Sequence, residues 1–226
     1  STSATSGVIF VRWSRPLTNA GNLDTAAYPG PYRFRLLHRE PGSGQQQEVF
    51  TSTAASVYGL DTAYDHSGLN TKTGPHEYQI EFLSAGEPIG SSQRASSVFL
   101  QLSPDDGRVH LQWTARTPWN NQEYEIYRRS PGQGGFNLLA TTQQTSYTDS
   151  SGVTNGSDYC YRIRSRGAYS DPGIVSPLLN RSQDSCTTPV DLTPPCTPSL
   201  ELSADCPAGH VQLRWMDVTK VCGRSG

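Results

Sequence analysis

The chain has 226 residues, with 18 Lys or Arg against 20 Asp or Glu, so its formal net charge is only −2. Scattered charges of both signs do not form the basic face of a nucleic-acid-binding protein. The apolar runs are a few residues long, so neither a membrane span nor a signal peptide is predicted. Gly (21), Pro (16) and Tyr (11) are plentiful and Met occurs once, and few segments have apolar residues at helical spacing. These features predict an all-β protein.

Three segments, taken in chain order, alternate apolar with polar residues and end in a tryptophan. They are GVIFVRW ending at Trp13, GRVHLQW ending at Trp113 and GHVQLRW ending at Trp215. Alternation with a period of two is typical of a β-strand with one buried face. The tryptophans are 100 and 102 residues apart, which is the size of a domain. The sequence therefore predicts repeated β domains.

Two further pairs of segments correspond between the first two repeats. RFRLLHREPGSG (33–44) aligns with EYEIYRRSPGQG (123–134), and HEYQIEFLSAG (76–86) aligns with SDYCYRIRSRG (157–167). Their glycines are predicted to lie in turns between strands, because no Gly-Lys-Ser/Thr follows as in a phosphate-binding loop. The first repeat has about ten extra residues after its tryptophan and about nine before its later strand, which are expected in loops.

The order of these features resembles fibronectin type III domains. The resemblance is carried by the tryptophan of the second strand, Tyr124 on the third, and the Tyr-x-Tyr-x-Ile strand that follows Val-x-x-Gly-Ser-x-Tyr at 153–159. It implies an all-β fold of tandem fibronectin type III (immunoglobulin-like) β-sandwiches, each with two antiparallel sheets packed face to face.

The same resemblance implies three domains. The first, 1–96, lacks an obvious first strand before Gly7 and has long loop insertions. The second is 97–187, and the third, 188–226, is a Pro-rich linker followed by the first two strands of another sandwich. The junction at 88–102 is so short that a restricted hinge is expected there.

The segment LLNRSQDSCTTPVDLTPPCTPSLEL (178–202) is similar to junctions between such repeats in large surface proteins of the Bacteroidota. These proteins often end in a gliding-motility or type 9 secretion sorting domain. The resemblance implies a secreted chain at the cell surface whose partners are neighbouring domains of the same parent chain.

Five cysteines lie in the second half of the chain, with no Cys-x-x-Cys motif and no histidine at metal-site spacing. In a turn-rich β protein they favour disulfides in an oxidising compartment over zinc. Cys160 alternates with core-facing tyrosines and is therefore predicted to face outward. A returning strand at about 174–182, after a turn near 172–173, would place Cys186 across the hairpin, which predicts a Cys160–Cys186 disulfide.

The other three cysteines lie in the predicted third repeat. Cys196 precedes its first strand and Cys222 follows its second, so a hairpin brings them to the same end and favours a Cys196–Cys222 disulfide. Cys206 would then need a partner beyond the last residue. A Cys186–Cys196 disulfide across the junction is the alternative. Because two strands cannot bury a core, residues 199–226 are expected to be held by the second repeat, a disulfide or another chain.

No catalytic residue, cofactor or metal site is predicted. None of the five histidines accompanies a nucleophile in a Gly-x-Ser-x-Gly context. The acidic pairs Asp105-Asp106 and Asp61 with Asp65 lack the ligand spacing of a calcium loop, and aspartates in turns commonly bind their own backbone.

The predicted loops contain candidate ligand contacts and candidate glycosylation sites. Tyr28 and Trp119 lie in equivalent loops, where an exposed ring could stack on a glycan or a protein, although a ring folded over the sandwich end is the alternative. Asp24-Thr25-Ala26 and Asp61-Thr62-Ala63 resemble the O-glycosylation acceptor of exported Bacteroidota proteins, which makes Thr25 and Thr62 possible glycosylation sites.

These features favour a non-enzymatic extracellular structural or adhesion module, which spaces domains or binds surface proteins or glycans. Nucleic acid and membrane insertion are not expected. The alternative is an accessory, possibly carbohydrate-binding, segment of a secreted multidomain enzyme. A third hypothesis, a hydrolase, would require a metal or nucleophile in the long loops at 18–30 or 61–76.

Overall fold

The structure is a computed structural model, and the residues it describes are 2–5, 7–16, 23–170, 174–194, 197 and 199–215. Within these residues there are eighteen β-strands, one short 3-10 turn and no α-helix. In this part of the chain no helix is long and apolar enough to cross a membrane. The all-β prediction is confirmed. The chain divides into two compact units, residues 1–190 and 191–226.

The first sandwich packs a three-stranded sheet against a larger sheet. The smaller sheet has the order β1-β2-β5, with β1 at Thr2–Thr5, β2 at Val8–Arg12 and β5 at Ala63–Ser67. The larger has the order β4-β3-β6-β7, with β3 at Tyr32–Arg39, β4 at Gln47–Ala54, β6 at Glu77–Ser84 and β7 at Glu87–Ser91; β8 at Ala95–Ser96 also pairs with β6. Alternate residues of facing strands, such as Ile9, Phe34 and Ile80, form the buried core.

The expectation that the first sandwich lacks its first strand is wrong. Strand β1 pairs antiparallel with β2, with Thr2 opposite Val11 and Thr5 opposite Val8. Gly7, at φ 73°, adopts the left-handed conformation of the turn between them. The sequence of β1 is Thr-Ser-Ala-Thr, which has no alternation of apolar and polar residues by which a strand could be recognised.

The second sandwich repeats this arrangement. Its smaller sheet has the order β13-β10-β9, with β9 at Phe99–Asp105, β10 at Arg108–Thr114 and β13 at Ser146–Asp149. Its larger sheet has the order β12-β11-β14-β15, with β11 at Asn120–Arg129, β12 at Asn137–Thr142, β14 at Tyr159–Ala168 and β15 at Leu178–Arg181; β16 at Ser185–Thr187 also pairs with β14. Trp113 is 2% exposed, and its ring centroid lies 5.4 Å from that of Tyr124.

Both sandwiches therefore have the same strand order, which confirms the fold of tandem fibronectin type III (immunoglobulin-like) β-sandwiches. The boundaries at 96 and 187 stay predictions, since one compact unit, 1–190, contains both sandwiches. Of the predicted strand at 174–182, residues 178–181 form β15. Strand β16, at 185–187, follows as a separate strand, and the two pair with different parts of β14. The predicted turn at 172–173 lies outside the described residues.

The connection between the two sandwiches is held from both sides by hydrogen bonds. The Ser97 amide donates to the carbonyl of His76 (3.0 Å) in the first sandwich, and the Ser96 amide donates to the carbonyl of Arg116 (2.6 Å) in the second. Asn180 Nδ2 also donates to the Ser96 carbonyl at 3.0 Å. Ser96, Ser97 and Asn180 are all buried. A connection of this kind agrees with the restricted hinge expected from its length.

In the second unit, β17 at Leu200–Asp205 and β18 at His210–Trp215 form an antiparallel hairpin. Leu200 lies opposite Trp215, and Leu202 lies opposite Leu213. Every residue of both strands is exposed, including Trp215 at 74%. Strand β18 corresponds in sequence to β2 and β10, and two strands alone cannot bury a core.

Candidate functional site

The outward-facing cysteine of β14 forms a disulfide. Cys160 lies directly opposite Cys186 of β16 in the antiparallel register, and the two are bonded. They are 26 residues apart, and closing a loop of that size stabilises a fold by about 3 kcal/mol in the chain-entropy picture. Cys160 lies on the opposite face from core Tyr161, yet it is only 6% exposed. Cys186 and Arg129, whose Nη2 lies 3.1 Å from Cys160 Sγ, cover it.

The disulfide lies on the outer face of the larger sheet of the second sandwich, among charged and aromatic side chains that we call the arginine face. These residues are Glu125, Tyr127, Arg129, Phe136, Arg162, Arg164 and Asp184. They are brought together because outward residues of β11 and β14 are neighbours across the strand pair.

One half of the arginine face is organised by Arg162. Its Nε and Nη2 donate to the two carboxylate oxygens of Asp184 at 2.6 and 2.8 Å. Its guanidinium also lies 4.2 Å from the ring centroid of Phe136, and that of Arg129 lies 5.3 Å from the same centroid. Bidentate ion pairs and cation–π contacts of this kind fix side chains that would otherwise be mobile.

The other half is organised by Glu125, which is 7% exposed. Arg164 Nε and the Tyr127 hydroxyl both donate to Glu125 Oε2, the latter at 2.8 Å. The hydrogen bond from Arg164 holds the pKa of the Glu125 carboxyl below its ordinary value, and Glu125 in turn raises the pKa of Arg164. The arginine face thus contains two ion pairs, Arg162–Asp184 and Arg164–Glu125.

Behind this sheet, a buried carboxylate joins the two layers of the second sandwich. Asp149 is 0% exposed and accepts hydrogen bonds from Arg128 Nη1 and the Tyr161 hydroxyl, each at 2.8 Å. Burial, together with Asp149, raises the pKa of the Tyr161 hydroxyl. The carboxylate is fully engaged by its neighbours, so its role is structural.

The two rings predicted as ligand contacts differ in exposure. Tyr28 is 47% exposed, and its carbonyl accepts a hydrogen bond from the Tyr32 hydroxyl at 2.7 Å. Trp119 is only 5% exposed, so an exposed ring at this position is ruled out and the folded ring is observed. Its indole Nε1 donates to Asn121 Oδ1 at 3.2 Å. Gly167 leaves room for the buried ring, because a Cβ at this position would lie 2.7 Å from the Trp119 ring.

Each possible glycosylation site follows an aspartate whose carboxylate accepts hydrogen bonds. Asp24 Oδ1 accepts from the amides two and three residues later, at 2.9 and 3.2 Å, and Thr25 beside it is exposed. Asp61 Oδ2 accepts from Ser52 Oγ at 2.9 Å, and Thr62 is half-buried. Glycosylation at either threonine stays a prediction.

Of the other three cysteines, the structure describes Cys206. Cys196 and Cys222 lie outside the described residues, so the predicted Cys196–Cys222 disulfide and its alternative stay predictions. Cys206 lies in the turn between β17 and β18, where it is exposed and not in a disulfide.

The acidic turns bind the protein's own chain. The Asp106 amide donates to Asp105 Oδ1 at 2.8 Å, and this bond, with His110, lowers the pKa of the Asp105 carboxyl. Among the described residues, no group of three or more His, Cys, Asp or Glu side chains is arranged to hold a metal ion.

A depression of about 360 Å³ lies beside the connection between the sandwiches, lined by Gln93, Arg94, Arg116 and Thr117. The Thr117 hydroxyl donates to the carbonyl of Trp119 at 2.8 Å, and Arg116 Nη1 contacts Glu77 Oε1 at 3.3 Å. None of the other three lining residues is a general base for the Thr117 hydroxyl, so these four residues contain no nucleophile–base pair of the kind used in hydrolysis.

No family model and no curated protein matches the chain. Among solved structures, it is similar to chicken CNTN1 FN1–FN3 domains, with 9% identity, 84% of this chain and 64% of that chain covered, and a TM-score of 0.32. It is similar to a cytokine receptor complex at 14% identity, 83% and 94% coverage and a TM-score of 0.33. It is also similar to pectate lyase Pel3 from Pectobacterium carotovorum at 20% identity, 44% and 29% coverage and a TM-score of 0.32.

The chain thus spans less than two thirds of the CNTN1 chain and less than one third of the lyase chain. TM-scores near 0.3 carry no argument about function. The fold is established instead by the strand order that the two sandwiches share.

Proposed function

We propose that the chain is a non-enzymatic extracellular module that holds neighbouring domains of a longer surface protein at a defined separation and presents a protein-interaction surface. The observation that carries this proposal is the connection at residues 95–98, where Ser96 and Ser97 are buried and hydrogen-bonded to different sandwiches. A connection of this kind suits a spacer, because it restricts the orientation of one domain relative to the next.

Extracellular location is supported by the Cys160–Cys186 disulfide, since such bonds persist in oxidising compartments. The junction at 178–202 adds the finer proposal of a Bacteroidota surface protein exported by type 9 secretion. Antibody labelling of intact cells would test location: surface labelling is expected, and labelling only after lysis would contradict it.

The hairpin β17-β18 supports a third sandwich, because its exposed apolar face, with Trp215 and Leu213, matches the face that β9-β10 buries.

The spacer role is tested by residual dipolar couplings measured for the amides of the whole chain in a weakly aligned medium. If the connection fixes the two sandwiches, their couplings fit one alignment tensor. The matched variant Asn180→Ala, which removes the hydrogen bond to the Ser96 carbonyl, should make the two fitted tensors diverge. Independent tensors in the unmodified chain would contradict the proposal.

A second function, glycan binding within a secreted enzyme, is favoured by one observation, the 47% exposed ring of Tyr28. Exposed aromatic rings can stack on sugar rings. Titration of the chain with an oligosaccharide panel, compared with Tyr28→Ala and the matched control Tyr58→Ala, separates the two functions. Binding that is lost in Tyr28→Ala alone would support this second function, and absence of binding across the panel would exclude it.

A further inference from the structure

Three histidines lie together inside the first sandwich, at the end where the chain continues into the second. We call His38, His66 and His76 the histidine cluster. His38 is 4% exposed and His76 is 2% exposed. The ring centroid of His38 lies 4.7 Å from that of His66 and 5.2 Å from that of His76. His66 is half-buried. Two buried histidines packed with a third have no role in the spacer function described above.

The hydrogen bonds of the cluster define which nitrogens carry protons. His76 Nε2 lies 3.1 Å from the carbonyl oxygen of Asn70, which can only accept, so His76 Nε2 is protonated. In neutral His76 the other nitrogen, Nδ1, is an acceptor. His38 Nε2 lies 2.9 Å from it and must be the donor. A directional chain results, in which His38 donates to His76 and His76 donates to Asn70.

This directional chain is the arrangement of the neutral cluster. If both rings were charged, the N–H groups at His76 Nδ1 and His38 Nε2 would face each other, and the hydrogen bond would be replaced by a repulsive contact. A proton added to His38 would place a charge inside the core and next to His66. Burial, followed by the charges of His66 and His76, lowers the pKa of His38 to about 4.

The surrounding groups offer little to stabilise a charged cluster. From β6, the Tyr78 hydroxyl lies 2.9 Å from His66 Nδ1, and the Tyr78 ring stacks on His38 at 4.9 Å. From β5, Tyr64 contacts His66 at 5.8 Å between ring centroids. Burial lowers the pKa of His66, and the Glu40 carboxylate opposes that effect. The Glu77 carboxylate, next to His76 in the chain, pairs with Arg39 and Arg116.

The histidine cluster is joined to the connection between the sandwiches through the backbone of His76. The His76 amide donates to Ser97 Oγ at 3.2 Å, and the Ser97 amide donates to the His76 carbonyl at 3.0 Å. Ser96, the preceding residue, is hydrogen-bonded to Arg116 and Asn180 of the second sandwich. The position of His76 therefore determines whether Ser97 keeps its partners.

We propose that the histidine cluster makes the connection between the sandwiches pH-sensitive. While the cluster is neutral, His76 is held by His38 and Asn70 and in turn holds Ser97. Acidification favours conformations in which His38 leaves the core and is protonated. His76 is then displaced and Ser97 is released, so that the second sandwich reorients before either sandwich unfolds. Because the folded structure favours neutral His38, this contact is present above about pH 6.5. It is lost as the pH falls toward 4.

The test is amide hydrogen exchange of the full chain, followed residue by residue by NMR from pH 7 to pH 4 and corrected for intrinsic exchange rates. The protection factor of the Ser97 amide is expected to fall at least tenfold on acidification, while that of Ile163, in the core of the second sandwich, is retained. Equal loss at both amides, which would indicate global unfolding, overturns the proposal, as does a Ser97 amide that stays protected to pH 4.

The matched variant is His38→Gln combined with His76→Gln. Glutamine can donate from its amide nitrogen and accept at its oxygen, so the directional chain to Asn70 is reproduced without titratable groups. Ser97 protection in this variant is expected to be independent of pH over the same range. The control His110→Gln, at an exposed histidine of the second sandwich, should behave like the unmodified chain.

A second measurement keeps the proposal testable if the double variant does not fold. Nitrogen-15 chemical shifts of the imidazoles in the unmodified chain report protonation directly. His38 is expected to be neutral, with its proton on Nε2, throughout the pH range in which Ser97 is protected. Protonation of His38 near pH 6.5 with Ser97 still protected would contradict the proposal.

Discussion

The two sandwiches share one strand order but are stabilised by different chemistry. The second has the Cys160–Cys186 disulfide and a buried Asp149 that two neighbours engage. The first sandwich has no disulfide in its described residues, and its interior contains His38 and His76. The comparison teaches that the alternation of apolar residues specifies the fold, whereas the polar contacts decide which conditions each sandwich tolerates.

The largest difference between the sandwiches is expected at their equivalent tryptophans. Trp113 is 2% exposed, so Trp113→Ala should lower the free energy of unfolding of the second sandwich by about 3–5 kcal/mol. Trp13 is only half-buried, and Trp13→Ala should cost the first sandwich less. Urea unfolding followed by NMR signals assigned to each sandwich measures both values. A larger loss for Trp13→Ala would contradict the burial of the two indoles.

The disulfide should affect only one sandwich. Replacing Cys160 and Cys186 together by Ala is expected to lower the free energy of unfolding of the second sandwich by about 3 kcal/mol, because the unfolded chain regains the freedom of the closed loop. Cys206→Ala, at an exposed free cysteine, is the control. Urea titration that detected an equal loss in the first sandwich would show that the sandwiches do not unfold separately.

The arginine face should contribute less. Arg164→Met leaves the nearly buried carboxylate of Glu125 without its cation, at a cost of about 1–2 kcal/mol. A comparable change in the first sandwich, Arg35→Met on β3, removes ion pairs with the more exposed carboxylates of Glu48 and Glu81 and should cost less than about 1 kcal/mol. Chemical denaturation of both variants tests this order, and equal costs would contradict it.

The effect of Arg164→Met also has a defined pH dependence. Because the pKa of Glu125 is lowered in the folded protein, the stabilisation by this pair is present above about pH 4.5. It is lost as the pH falls through the lowered pKa. The difference in unfolding free energy between the unmodified chain and Arg164→Met should therefore shrink in acid. A difference that grows on acidification would contradict the assignment of the ion pair.

The smallest effect is expected at Tyr28. Its ring is exposed, and the hydrogen bonds to Asp24 and Tyr32 are made by its backbone amide and carbonyl. Tyr28→Ala should therefore change stability by no more than about 0.5 kcal/mol. Thermal unfolding checks this value. A larger loss would mean that the ring packs on the first sandwich and has no free surface for a ligand.

Much of the fold could be predicted from period-two alternation. The strands that end at Trp13 and Trp113, and the outward position of Cys160, follow from it directly. Strand β1 could not be recognised because its four residues are small and have no alternation of apolar and polar residues. The burial of Trp119 could not be predicted, since it depends on the absence of a side chain at Gly167, which is distant in sequence.

The histidine cluster is not predicted from the sequence, although the core position of His38 follows from its pattern. In RFRLLHR, residues 34, 36 and 38 alternate on one face, which places His38 in the core with Phe34 and Leu36. His76, in contrast, lies before β6 in a segment without periodicity. Its contact with His38 depends on strand register, which the sequence pattern does not specify.

The different stabilisation of the two sandwiches is tested most directly by measuring the free energy of unfolding of each one. The measurement is an NMR-detected urea titration of the full chain at pH 7 and pH 5, with and without reductant. Acid should weaken chiefly the first sandwich, because its fold favours neutral His38. The resulting loss of unfolding free energy is on the order of 3 kcal/mol over the full titration from pH 6.5 to about 4. Reduction of the disulfide predicts that the second is weakened instead. Equal responses of the two sandwiches to both treatments would contradict the account.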